Sequence, residues 1–225
     1  VLHLDINGRT IVERTFEDDL DLSMFGNPFG QEVTAGLINL KKAIGEAKTN
    51  DNRKGIYLHT GLVIAGQANL LGLREALVYF KTSGKFIVAY DEAYTEGGYY
   101  IASVADEIYL NPLGAIEFNG FSSEGIFFKG LFEKVGVKPE IFRVGEFKSA
   151  VEPFILEENS PEARLQTQSF LNDMNQFALH GVAESSVVAY NSLKQTNDMI
   201  VVLTHEYLSL IHTCCFRQAS LCSTR

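Results

Sequence analysis

Apolar positions along this chain follow two rhythms that take turns. Residues 1–6 are apolar and alternating, and they stop at Asn7-Gly8, so they predict a strand and a turn. Residues 11–30 are acidic and then glycine-rich, and read as a loop. Over residues 31–48 the apolar side chains Val33, Leu37, Leu40, Ile44 and Ala47 fall at steps of three and four, the spacing of one helical face. Residues 50–54 turn the chain, and GIYLH (55–59) follows as a short buried-type strand. A glycine-bounded turn at 61–66 leads to a second amphipathic helix carrying Leu70, Leu73, Leu77 and Phe80, closed by Ser83-Gly84.

The rhythm continues with a strand at FIVAY (86–90), a helix over 95–105 opened by a glycine pair, and a strand over 107–110 stopped by Asn111-Pro112. A short helix at 128–135 and a strand at 139–143 come next. Ser160-Pro161 then starts a helix that should run to about residue 183, with serine as N-cap, proline in the first turn and Glu162 near the positive end of the dipole. Strands alternating with helices through short connections predict an α/β fold, a mainly parallel sheet flanked by helices. Sites in such sheets usually lie at the carboxyl ends of the strands. Residues 185–225 break the pattern, being rich in Ser, Thr and Cys. Two readings stand for this tail: one more helix at 199–211, or a segment foreign to the domain.

Composition narrows the class. The chain has 225 residues, 46% hydrophobic and 21% charged, enough for one large domain or two small ones with a sizeable core. A net charge of −9 disfavours nucleic acid as a partner, and no basic run suggests a phosphate- or lipid-gripping tail. The chain enters a strand at Val1 with no leader pattern, which suggests a cut-back N-terminus. The most apolar run, 199–216, is interrupted by Glu206 and two histidines. Cys214, Cys215 and Cys222 all lie in the tail, so no disulfide framework supports the body and no zinc spacing is present.

One segment raises a chemical question. VGEFKSAVEPF (144–154) sets Lys148 among Phe147, Val151, Phe154 and Ile155, with Glu146 and Glu152 nearby. An unperturbed lysine is neutral roughly once in a few thousand at pH 7, so a working lysine base needs about 4–5 kcal/mol of help from its surroundings. Desolvation by the apolar neighbours would supply it, while the carboxylates oppose it. From spacing alone, a surface lysine paired with Glu152 and a general base both remain open.

The wording of this segment, with the pieces KGIYLH, SGKFIVAYDEAYTEGGYYIAS, ADEIYLNPLGAIEFNGF and GLFEKVGVKPEIFRVGEFKSA before it in the same order, resembles the N-terminal half of the long-form signal peptide peptidases, the protease IV group of peptidase family S49. The resemblance covers residues 1–184, leaving 185–225 as an atypical tail. It implies a ClpP/crotonase-like spiral of βαβ units that assembles into homo-oligomers. It implies a Ser/Lys-dyad serine endopeptidase associated with the inner membrane and facing the periplasm, which degrades cleaved, apolar signal peptides without a cofactor. Lys148 is the position that matches the general base, and the serine nucleophile belongs to the C-terminal half of such proteins.

The resemblance also shows departures. Where catalytic halves carry serine before a glycine pair, this chain has Glu96 before Gly97-Gly98. Thr95 lies one residue early and reads as a helix cap. After the second strand, the text HTGLVIAG (59–66) lacks the Pro-Gly-Gly turn of an oxyanion site. Ser149 reads as a structural hydroxyl, because adjacent side chains generally point apart; the resemblance implies a hydrogen bond from it to the lysine. This half is therefore expected to donate a base without its own nucleophile or oxyanion hole, and to be inactive alone. A catalytically inactive scaffold of the same fold is the alternative; a crotonase-type acyl-CoA enzyme is a third, with no adenine pocket in the sequence to support it. The histidines show no metal spacing, the acidic residues 17–21 lack calcium-loop alternation, and the Tyr99-Tyr100 and Phe127-Phe128 pairs read as core or subunit contacts.

Overall fold

The computed structural model describes residues 1–15, 34–142, 148–185, 190, 191, 193, 194 and 202–204. The acidic stretch 17–21, Glu146, Phe147 and the three cysteines lie outside them. The chain divides into two compact units, residues 1–119 with 179–225, and residues 120–178.

The first unit is built on a five-stranded sheet in the order β1-β4-β6-β7-β8. Strands β1 (Leu2–Asp5), β4 (Gly55–His59), β6 (Phe86–Tyr94) and β7 (Glu107–Glu117) run parallel. Parallel neighbours need crossovers, and helices α1 (Leu37–Thr49), α2 (Gln67–Lys81) and α3 (Glu96–Ala102) supply them. This is the α/β, mainly parallel sheet flanked by helices that the alternation predicts. Ile56, Leu58, Ile87 and Ala89 point from the strands into the core. Ile44 from α1 and Leu73, Leu77 and Phe80 from α2 meet them there, each of these last four at 1% exposure or less. Burying each such large side chain stabilises the fold by about 1.5–3 kcal/mol. Helix α2 ends as its last carbonyls are taken by Thr82, Ser83 and Gly84, the glycine at φ +73°.

Three short strands were not evident in the residue pattern. Strand β2 (Thr10–Val12) pairs in parallel with both β3 (Thr34–Gly36) and β5 (Ile64–Ala65), making a second small sheet. The expected loop over 11–30 therefore begins with a strand, and the expected helix over 31–48 begins only at Leu37. Strands of two or three residues are too short to display a period of two, and Ile11, buried at the centre of β2, was the only local hint.

Strand β7 also corrects the sequence reading, because it does not stop at Asn111-Pro112. Its pairing with β6 jumps from Asp91↔Leu110 to Ala93↔Ala115, so residues 111–114 bulge out opposite the single residue Glu92. Pro112 lies in this excursion, where its missing N–H costs the ladder nothing, and the Leu113 N–H bonds the Asn111 side chain at 2.9 Å. Strand β8 (Val202–Thr204) then pairs antiparallel with residues 115–117 of β7. At these positions the helix considered for 199–211 is replaced by a strand, in keeping with the β-branched run Ile200-Val201-Val202. The rest of that span lies outside the described residues.

The second unit contains α4 (Lys129–Val135), a 3-10 turn at Ser149–Val151, α5 (Glu152–Ile155) and most of α6 (Pro161–Ser185), whose residues from 179 onward belong to the first unit. Ser160 caps α6 as expected, its Oγ accepting the Ala163 N–H at 3.1 Å. The strand expected at 139–143 is not formed over 139–142, where Pro139 has no N–H to give and Phe142 is almost fully exposed.

Candidate active site

At the carboxyl ends of β4 and β6 the chain places a tight group of polar atoms. The turn after β4 brings the N–H groups of Thr60 and Gly61 to one point, and the Asp91 carboxylate fills it. Asp91 Oδ2 accepts the Thr60 N–H at 2.7 Å and the Gly61 N–H at 2.8 Å, and its Oδ1 lies 3.5 Å from His59 Nδ1. Asp91 is 2% exposed. Burial pushes its carboxyl above the ordinary value, outweighing the downward pull of the Gly61 and Thr60 N–H groups and of His59. Gly61 is required here: a Cβ on it would come within 2.9 Å of Asp91 Oδ1, the Ala93 carbonyl and Asn7 Oδ1.

Helix α3 starts against the same turn. Thr95 is its N-cap: its Oγ1 accepts the Gly98 N–H at 3.2 Å and donates to the Gly61 carbonyl at 3.0 Å. The Thr95 N–H bonds the same carbonyl at 3.0 Å, and Thr60 Oγ1 donates to the Gly98 carbonyl at 2.9 Å. Gly98 permits this approach, since a Cβ there would collide with the carbonyl of Gly61. Thr95 thus caps the helix, as its position suggested, with its hydroxyl committed on both sides. Glu96, in the first turn of α3, takes the place where the resemblance expects a nucleophilic serine. Tyr99 and Tyr100 are buried core residues, and burial pushes both phenols upward.

Asp91 was not singled out from the sequence, although a signal was present. Ile87, Ala89 and Asp91 share one parity along β6, so continuing the inward face of FIVAY by two residues points an acid into the core.

Lys148, in the second unit, precedes the 3-10 turn at Ser149–Val151 and is exposed. Of the apolar wall anticipated around it, Val151 and Ile155 are half-buried and Phe154 is exposed. The ion pair considered with Glu152 is replaced by another contact. Glu152 is 1% exposed, and its carboxylate accepts the Ser160 N–H at 2.9 Å and the Ser160 hydroxyl at 2.7 Å, holding the start of α6. Among the described residues no group of His, Cys, Asp and Glu could hold a metal ion, and no helix is long and apolar enough to cross a membrane.

Comparison with known proteins places this arrangement. The model of Peptidase family S49 matches residues 79–205, and the chain belongs to that family. It is 34% identical over 197 residues to Protease 4 of Salmonella typhi, covering 85% of this chain and 32% of that protein. It is 41% identical over 133 residues to Protease 4 of Haemophilus influenzae, covering 59% of this chain and 22% of that protein. The chain therefore spans a third or less of the length of these relatives. Among solved structures, a variant of a membrane-bound stomatin-specific protease is similar at TM-score 0.45 and 14% identity, over 78% of this chain and 69% of that one. That likeness is too loose to bear on the site.

Proposed function

We propose that this chain is the base-donating half of a Ser/Lys-dyad serine endopeptidase. Lys148 is the general base, taking the proton of a serine hydroxyl supplied by the C-terminal half of the whole protein. The observation that carries this reading is the start of α3, where Glu96 stands at the nucleophile position and the hydroxyl beside it in sequence, on Thr95, is committed to capping. A base without a nucleophile fits a chain that spans a third or less of its relatives. Because Lys148 is exposed, the dry surroundings a lysine base needs must come from polypeptide beyond the described residues of this chain. The substrates are apolar peptides such as cleaved signal peptides, bound as extended strands, and the enzyme works as a homo-oligomer at the inner membrane facing the periplasm. No cofactor takes part.

The test is turnover of an apolar peptide ester. The chain alone is expected to be inactive, and the whole protein active and dependent on Lys148. Lysine-dependent turnover by the chain alone would reveal a nucleophile within it; undiminished turnover by a Lys148→Ala whole protein would place the base elsewhere. A second reading, a non-catalytic scaffold of the same fold, is favoured by the carboxylate that already fills the turn after β4. It predicts that the whole protein is also inactive.

A further inference from the structure

The turn after β4 is not a degenerate loop. Two adjacent backbone N–H groups, of Thr60 and Gly61, converge on a single oxygen, as donors would in a receptor for a carboxylate or an acyl oxyanion. The surroundings maintain that convergence. The Gly61 carbonyl is held by both the N–H and the hydroxyl of Thr95, the Leu62 N–H bonds Asn7 Oδ1 at 2.9 Å, and Thr60 Oγ1 is tied to α3. We infer that this turn is a preformed two-donor carboxylate site whose permanent occupant is the chain's own Asp91 side chain, which closes it to any substrate oxygen. The occupant arrives along the backbone of β6, so a free carboxylate must compete with an intramolecular one at high effective concentration, and gains the site when the Asp91 side chain is removed. The ligand class that replaces it is a small monocarboxylate able to present one oxygen to both donors. The inference goes beyond the proposed dyad and stands whether or not Lys148 is a base.

Amide exchange and chemical-shift titration of the 225-residue chain test it, with sodium formate as probe and sodium chloride at equal ionic strength as control. In the parent, the Thr60 and Gly61 amides are expected to exchange slowly and not to shift with formate. In Asp91→Ala they are expected to exchange at least tenfold faster and to shift saturably with formate but not with chloride. Parent amides that exchange like those of an open loop, or that respond to formate, would overturn the inference. So would a folded Asp91→Ala chain whose two amides ignore formate. Should Asp91→Ala fail to fold, Asp91→Asn decides: its amide oxygen keeps an acceptor in place, so both N–H groups should stay protected and unresponsive. Rapid exchange in folded Asp91→Asn would sink the proposal.

Discussion

Arg74 offers the sharpest test of how the first unit is held together. It sits on α2 at 5% exposure, with no carboxylate among the described residues bonded to it. Its guanidinium donates to the Tyr100 carbonyl and Ser103 Oγ from one nitrogen, at 2.5 and 2.7 Å, and to the Gly181 carbonyl and Ser185 Oγ (2.5 Å) from the other. The Tyr100 ring lies 4.7 Å from its centre. One side chain thereby ties α2 to both α3 and the C-terminal turns of α6. Hydrogen bonds to a charged group contribute about 1.5–3 kcal/mol each, so four give about 6–12 kcal/mol gross. Against this stands the desolvation of the cation, several kcal/mol, whose direction is visible in the lowered affinity of Arg74 for its proton. Arg74→Met keeps the aliphatic bulk and removes both effects, leaving an expected net loss of about 2–4 kcal/mol. For a chain of this size that corresponds to roughly 4–16 °C in Tm. Urea denaturation measures the total, and amide exchange locates it: residues 179–185 should open first, before the strands. A change below about 0.5 kcal/mol, with exchange in 179–185 unaltered, would show that the guanidinium is not the tie described.

Further outcomes follow from the same structure. Asp91 holds its proton more tightly when folded than an ordinary carboxyl, so its contribution to stability falls as pH rises from about 4 through its folded value. His59, Tyr57 and Tyr94 face it, and burial pushes both phenols above their ordinary value, out of this window. Urea midpoints taken across this window should decline less in Asp91→Asn than in the parent; parallel profiles would refute the assignment. Glu152→Ala should cost about 1–3 kcal/mol by stranding Ser160 and fraying α6 at its start, read by amide exchange over 161–165. Gly98→Ala should cost about 1–3 kcal/mol in thermal unfolding through collision with the Gly61 carbonyl, despite alanine's better helix propensity. Lys148→Ala should leave urea stability within about 0.5 kcal/mol, so that any loss of activity in the whole protein reports chemistry and not folding.

What was legible in the sequence was local. GIYLH reads as a strand because Ile56, Tyr57 and Leu58 sit together between turn signals, and it forms β4 without a shift. The Ser160-Pro161 start and the Thr95 cap are settled by side chains acting within three residues. What was missed depends on partners far along the chain. Strands β2, β3 and β5 exist only because their short segments, more than 20 residues apart, pair with one another. Pro112 looked like a stop because nothing in its neighbourhood reveals that β6 continues past it. One of the two readings left open for Lys148 paired it with the Glu152 carboxylate, which instead bonds the serine eight residues after it. Asp91 acts on a turn thirty residues upstream, and the only trace of that is its parity on β6.

The four-residue excursion in β7 has a consequence of its own. The ladder closes again at Ala115 after stepping over residues 111–114, with Leu113 at 98% exposure. Polypeptide can therefore be decorated at the exposed Leu113, while Gly114, whose Cβ would collide with the Glu92 carbonyl, keeps the excursion seated on β6. Descendants of this sequence have at that point a place to try out new side chains, in the middle of a strand that stays in register.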